Sequence, residues 1–363
     1  MNFEALSSLS LEFLGQWQEA GSRLFIWNIL ASILLLFFWA MIQFGSKRGV
    51  SKSLRLLFNR KYWWNRSTKR DYLLFVSNFF IKGLLLIPLL DFSFHISRFL
   101  SNAMVQLTGD FLSLEPTAFA IVSFTLFSFV WDDGLRFIHH LLMHKVPFLW
   151  NLHSVHHSAK VLTPFTLYRT HPIEVSIAVL RNSLSIGVSA GLFVYLFESS
   201  LNLWTLLGVN GFGYLFNFLG ANLRHSHIPL KFGPFLERIF ISPVQHQLHH
   251  SSDPDHFNKN YGVSLAIWDA LYGSLVVSKN IGSLKFGLGS VQGRSLVREY
   301  GLHSFLPGHT HFRFKESLVV YIRKASNLIK SYKTVSRSLV GFRPTPVSFG
   351  PTFQGPAVPN KDL

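Results

Sequence analysis

Two stretches of the chain, His139 to His171 and His225 to His256, hold thirteen of its seventeen histidines. Imidazole titrates near neutrality and is the commonest protein ligand for metals, so this clustering asks for a chemical reason. The spacing repeats. His140 and His144 form HxxxH, His153, His156 and His157 form HxxHH, and His246, His249 and His250 form HxxHH again. Positions three and four apart share one face of a helix, with Cβ atoms about 5–6 Å apart, near enough for two imidazoles to share an ion. One such pair means little, because single histidines pack on helices for ordinary reasons. Eight imidazoles in three groups are not explained that way. One zinc needs three or four protein ligands, whereas eight nitrogens are enough for two ions. Imidazole suits zinc, copper, iron and nickel, so ligand type leaves the metal open.

The elements that carry these residues are read as membrane helices. Charged residues make up 14% of the 363 positions and phenylalanine alone supplies 37 of them. Mean hydropathy is positive. Few charges and long apolar runs mark an integral membrane protein. The formal net charge is +16, but the basic residues flank apolar runs, so a membrane surface suits them better than nucleic acid. The chain has no cysteine, which removes disulfides, thiolate metal sites and a catalytic thiol and leaves nitrogen and oxygen as ligands. The first twenty residues carry Glu4, Glu12 and Glu19 and no basic n-region, so no secretory signal is expected.

Leu24 to Phe44 is uncharged and long enough for about 30 Å of hydrocarbon. Ser46 to Arg70 follows with nine Lys or Arg residues and no acid, which places it in the cytoplasm and the N-terminus outside. Leu73 to Phe92 is a weaker span, interrupted by Lys82 and Pro88, and 93–116 is expected outside or at the interface. Thr117 to Trp131 re-enters and continues into the first histidines. Ile173 to Phe197 and Leu201 to Gly220 read as a membrane hairpin, 173–220. Counting alternately from outside, both histidine stretches emerge in the cytoplasm. The expected fold is therefore an all-α integral membrane helical bundle with a cytoplasmic histidine-rich di-metal cap. Its parts are 1–114 (N-terminal helices and basic loop), 115–278 (the core) and 279–363 (a basic region with a Pro/Gly-rich, disordered tail). Lys315 to Leu339 could lie as a basic amphipathic helix on anionic headgroups or be an ordinary solvated helix.

The segments HLLMHKVPFLWNLHSVHHS, RTHPIE, SPVQHQLHH, NYG and WDALYG resemble the fatty acid hydroxylase/sterol desaturase superfamily of membrane non-haem di-iron oxygenases. The likeness covers roughly 115–290, and the stretch from His225 through Gly273 especially resembles the alkylglycerol monooxygenase branch and its bacterial relatives. It implies two iron ions cycling between Fe2+ and Fe3+, O2 as cosubstrate, and hydroxylation or desaturation of a lipid in the bilayer. Because no reductase or cytochrome segment is read in the sequence, two electrons are expected from an external cytochrome b5-like or ferredoxin-like donor. By motif, the resemblance implies His140, His144, His153, His156, His157, His246, His249 and His250 as ligands, with His225 as the further histidine before the last box. His171 is either another ligand or a substrate-side group. Leu141 stands where many members have arginine, and Ser274 where many have threonine. The compact span plan suits a bacterial inner membrane, or the endoplasmic reticulum in a eukaryote.

Metal-bound imidazoles usually pass their other N–H to a carboxylate or carbonyl. Asp133 and Asp269 are the expected partners among the nearby acids Asp132, Asp133, Glu174, Asp253 and Asp269, because each abuts an apolar stretch where an unpaired charge is costly; ordinary helix-end placement is the alternative. His139 points about 100° away from His140 on a helix and is read as packed or as backing a ligand without binding the metal. His227 can join His225 only if their segment is not helical. His95, His256, His303, His309 and His311 read as surface residues. A histidine-rich metal transporter is the rival reading, although its ligands would interrupt the spans near the midplane. A haem protein or a catalytically silent metal-binding relative are the others.

Overall fold

The computed structural model describes residues 26–198, 211–218, 220–278 and 284–288. The expected disordered tail, the helix expected over 315–339 and the turn of the expected 173–220 hairpin lie outside them. In order, the helices are α1 (Ile26–Phe44), α2 (Ser46–Leu57), α3 (Arg60–Trp63), α4 (Arg66–Thr108), α5 (Ala118–Lys145), α6 (Pro147–His157), α7 (Pro172–Phe197), α8 (Gly211–Phe218), α9 (Pro243–His249) and α10 (Ile267–Tyr272). The expected fold class is the one observed. Among the described residues there is no strand, only isolated bridges of Phe240 with Leu265 and Ser251 with Phe286. Helices α1, α5 and α7 are long and apolar enough to cross a membrane.

The helix that holds the expected span 73–92 does not end with it: α4 runs 43 residues to Thr108, about 65 Å at 1.5 Å per residue, so most of 93–116 continues it. No proline or glycine interrupts it between Pro88 and Gly109, and it stops where Gly109 takes a left-handed conformation, φ 94°, at little steric cost. α7 lies closely along α4. A Cβ at Gly187 would stand 2.8 Å from the Ser93 carbonyl oxygen, and one at Gly191 would stand 2.6 Å from that of Ser97. Small residues one turn apart let two apolar helices bring their backbones together.

Two further contacts fix where the histidines sit. Phe124 of α5 packs against Phe193 and Phe197 of α7, which pins those helices together at the end away from the histidines. Leu36 of α1 packs against Leu223 and Ile228, the residues on either side of His225.

Candidate metal centre

Five elements bring the imidazoles together. His140 and His144 lie in the last turns of α5, and Val146 ends that helix in an extended conformation. Pro147 then occupies the first turn of α6, a position where its missing N–H costs nothing. α6 carries His153, His156 and His157. α7 begins beside them, also with a proline in its first turn, and carries Glu174. A 3₁₀ turn, Ala221–Leu223, leads to His225. α9 starts from a capping box in which Ser242 and Gln245 satisfy each other's backbone N–H, and delivers His246, His249 and His250.

One ring nitrogen from each of His140, His144, His153, His157 and His249 lies within 4.8 Å of the others; His156, His225, His246 and His250 form a second such group. The groups adjoin, with His157 stacked on His250 at 4.4 Å between ring centroids. Each HxxHH is therefore divided. Its i, i+4 pair serves one group and its middle histidine the other, and α9 divides opposite to α6.

The donor set fits a pair of cations. His225 Nε2 stands 3.2 Å from His156 Nε2, 3.2 Å from His250 Nε2 and 3.0 Å from His246 Nε2. A neutral imidazole has one N–H, so facing nitrogens cannot all be satisfied by hydrogen bonds to each other. Nitrogens bound to one ion at about 2.0–2.1 Å stand about 2.9–3.4 Å apart, which is the spacing observed. In the first group, Nε2 of His144, His153, His157 and His249 is buried with no hydrogen-bond partner among the described residues. Burying one unpaired polar atom costs about 1–3 kcal/mol, so four together are a cradle for something they bind.

The other ring nitrogens are anchored. His140 Nδ1 donates to the Tyr261 carbonyl at 2.6 Å and His249 Nδ1 to the Lys259 carbonyl at 2.8 Å. A carbonyl only accepts, so both Nδ1 atoms carry the proton and each Nε2 offers its lone pair. His153 Nδ1 meets Glu174 Oε1 at 2.8 Å. Burial pushes His153 and His156 down to about 3, and holds His157, His246, His249 and His250 well below the ordinary imidazole range. All six are neutral at pH 7, the state that binds metal.

Glu174 is the carboxylate that reaches an imidazole. Asp133 and Asp269, expected in that role, hold backbone. Asp133 accepts from the Ser264 and Leu265 amides, both at 2.9 Å, and from the Trp268 indole. Asp269 accepts from the Tyr261 and Gly262 amides at 2.7 and 2.6 Å and from the Ser274 hydroxyl. They fix the 259–269 loop, whose carbonyls at Lys259 and Tyr261 receive the histidines. Glu174 was detectable in HPIE: a proline at the first helical position sets the glutamate in the first turn, at the end facing the site.

The remaining histidines lie apart. His171 caps α7, its Nδ1 accepting from the Ile173 amide at 3.1 Å, and belongs to neither group. His227 packs on the Tyr62 ring, centroids 3.9 Å apart. His95 is exposed beside Asp91. His303, His309 and His311 fall outside the described residues. A cavity of about 270 Å³ opens onto the first group, bounded by Trp150, Phe257, Lys145, Ser251 and Asn258.

These features define a helical membrane protein with a buried, all-histidine site suited to two metal ions. Residues 124–274 match the family model described as Fatty acid hydroxylase, and with the motif set and the histidine groups this region belongs to the fatty acid hydroxylase family. The chain is similar to ornithine lipid hydroxylase OlsE of Rhizobium tropici, 30% identical over 44% of this chain and 42% of the relative. It is also similar to alkylglycerol monooxygenase of Homo sapiens, 28% identical over 45% of this chain and 36% of the relative, and of Danio rerio, 26% identical over 51% and 40%. The chain thus spans less than half the length of these curated relatives. No solved structure matches it.

Proposed function

We propose that the protein is a membrane oxygenase that holds two iron ions and hydroxylates a lipid, drawing two electrons from an external donor. The observation that carries this reading is the gathering of nine histidines from distant segments into two adjoining buried groups. His140, His144, His153, His157 and His249 would hold one ion, and His156, His225, His246 and His250 the other. Bound iron would supply the activation of O2, with the balance R–H + O2 + 2e⁻ + 2H⁺ giving R–OH + H2O. The names of the relatives, a hydroxylase and monooxygenases, favour hydroxylation over desaturation, and both act on lipids by name.

The chain's own contribution is placement and exclusion of water. Hydrogen bonds to Lys259, Tyr261 and Glu174 keep three imidazoles in one tautomer and orientation, and the Glu174 carboxylate offsets positive charge in a buried site. α5 leaves its apolar stretch at the site and α7 enters its own there. The Lys160 amide donates to Ser67 Oγ and Arg169 pairs with Asp71, so the end of the basic segment 46–70 adjoins the same face. Positive charge on that face favours a cytoplasmic site. The groups sit at one end of the spans and not along a path between faces, which tells against transport.

Purified protein supplied with iron should hold about two ions per chain, the count set by two groups of four or five nitrogens. Lipids from producing cells should show a 16 Da gain. A single tightly held zinc, or unchanged lipids alongside a fully iron-loaded protein, would defeat the reading.

A further inference from the structure

Three charged side chains meet between the apolar helices. Asp132 and Arg136 lie on α5 and Arg181 on α7, and both helices are apolar enough to span a membrane. Arg136 is nine residues in from Lys145 and Arg181 nine residues in from Pro172, the ends at the histidines. Each arginine's backbone is thus about 13 Å down its helix from that end. Arg136 Nε donates to Asp132 Oδ2 at 2.6 Å and Arg181 Nη1 to Oδ1 at 3.3 Å. Two cations share one carboxylate. The neighbouring Asp133 acts on both guanidinium groups through space, but its oxygens accept from the Ser264 and Leu265 amides and the Trp268 indole, so neither guanidinium hydrogen-bonds it. Glu174 is likewise engaged, with His153.

An ionised group within a bilayer is costly unless paired, and where it persists it marks a site. A structural cross-link between α5 and α7 would need one arginine and one aspartate. The second guanidinium goes beyond what that cross-link needs, and Arg136 is the accessible one, its side chain 40% exposed against 18% for Arg181. Its two terminal nitrogens make no hydrogen bond among the described residues. Guanidinium is the side chain suited to paired hydrogen bonds with phosphate or carboxylate.

We propose that Arg136 and Arg181 form a binding site for the acidic headgroup of a lipid, so that the substrate carries a phosphate or carboxylate. This rests on the oxygenase reading and narrows it. Arg136 is one turn, about 6 Å of helix axis, from His140. An acidic group held there brings the carbons next to the headgroup, and not the chain ends, nearest the histidines.

Native mass spectrometry of the full-length protein in detergent, titrated separately with phosphatidic acid, oleate and neutral dioleoylglycerol, tests this. Wild type should prefer the two acidic lipids by about tenfold or more, the scale of one or two charge-assisted hydrogen bonds, and Arg136→Gln should lose most of that preference while its metal content stays as in wild type. Asp132→Asn, which removes the carboxylate charge that both guanidinium groups share, should strengthen the preference and decides the matter if Arg136→Gln does not fold. An unchanged preference in Arg136→Gln, or a weakened or unchanged one in Asp132→Asn, would overturn the assignment. So would millimolar inorganic phosphate displacing phosphatidic acid, since the ligand would then be a soluble anion. Metal counts made on the same samples keep failure of the iron reading distinct from failure of the headgroup site.

Discussion

The two helices that carry HxxHH offer the same three imidazoles from the same kind of start, yet they are held by different physics. α6 is held by charge. Arg169, fully buried, donates to the Val155 carbonyl within α6 and pairs with Asp71 of α4 at 2.8 Å, and Glu174 of α7 takes His153. α9 is held without an ion pair, chiefly by neutral hydrogen bonds from nearby loops, while its N-cap Ser242 donates to the Glu237 carboxylate. Gln247 donates to the Leu223 and Ile228 carbonyls, Gln245 to those of Glu237 and Val276, and Asn260 to Gln245. One half of the site is thus tied to the long helices α4 and α7, whereas the other is tied to the segments it must fold with locally. Because each helix gives histidines to both groups, the metal sites and the supporting halves do not coincide.

That mismatch sets the largest expected effect. His153→Ala on α6 and His249→Ala on α9 remove ligands from the same group, so they should fail alike: no turnover, with one ion lost and the other retained. His156→Ala and His246→Ala should form the second pair. Metal counting on the four proteins checks it. If loss followed the helix and not the group, so that His153→Ala matched His156→Ala, the crosswise division would be wrong.

Next comes the ion pair. Asp71→Ala leaves the Arg169 guanidinium buried without its partner, which should cost about 3–5 kcal/mol, read from denaturation in detergent. Joint replacement, Asp71→Leu with Arg169→Met, should recover much of that, because two apolar side chains carry no desolvation penalty. Among the described residues no ion pair supports α9; its N-cap Ser242 donates instead to the buried Glu237 carboxylate.

Acid should act on both histidine groups together. His153 and His156 stay neutral down to pH about 3 in the folded protein and titrate near 6.5 when unfolded. As pH falls below about 6.5 the unfolded chain gains protons that the folded one refuses. The metal-free protein should then lose about 1.4 kcal/mol per pH unit for each of these histidines. Removing one as His156→Gln should lower that slope by one proton; an equal slope in the variant would show the ring to be solvated.

Much of this was readable in advance, for reasons that can be named. The spacings of His140/His144 and the two HxxHH runs encode helix faces, and the two short helices start at prolines, Pro147 and Pro243, that the sequence shows plainly. Which nitrogen goes to which group was not readable, because an i, i+3, i+4 triplet fits one ion or two until the partner helix is placed. Asp133 and Asp269 drew attention by their apolar surroundings, but burial alone does not say whether a carboxylate meets an imidazole or a backbone amide. The length of α4 was hidden by Lys82 and Pro88, which lower the apparent span without breaking the helix. The second role of the Arg136 guanidinium became visible only once Arg181, forty-five positions later, came to the same Asp132.

Glu174→Gln sharpens the comparison at smaller scale. It keeps the shape and the hydrogen bond but removes the charge behind His153. Removing such a partner lowers metal affinity by about 10–100-fold, and only the first group should weaken. Equal weakening of both ions would mean that Glu174 supports the fold of α6 and not one ligand.

The smallest effect is expected on the neutral half, and it tests whether the two kinds of support are separable. Gln247 is almost fully buried, and its side-chain amide satisfies the Leu223 and Ile228 carbonyls that bracket His225, at 3.2 and 2.8 Å. Gln247→Met keeps the bulk and leaves both carbonyls without that donor. The cost should be about 1–2 kcal/mol, the range for a lost buried hydrogen bond, well under that of Asp71→Ala. The chemical consequence should be selective: His225 belongs to the second group alone, so that ion should dissociate faster while the first is retained. Chelator-release kinetics read this directly, and two phases in which only one accelerates would place His225 on an ion of its own. Parallel acceleration of both phases would show instead that the groups share a ligand frame so rigid that a neutral hydrogen bond on one side is felt equally on the other.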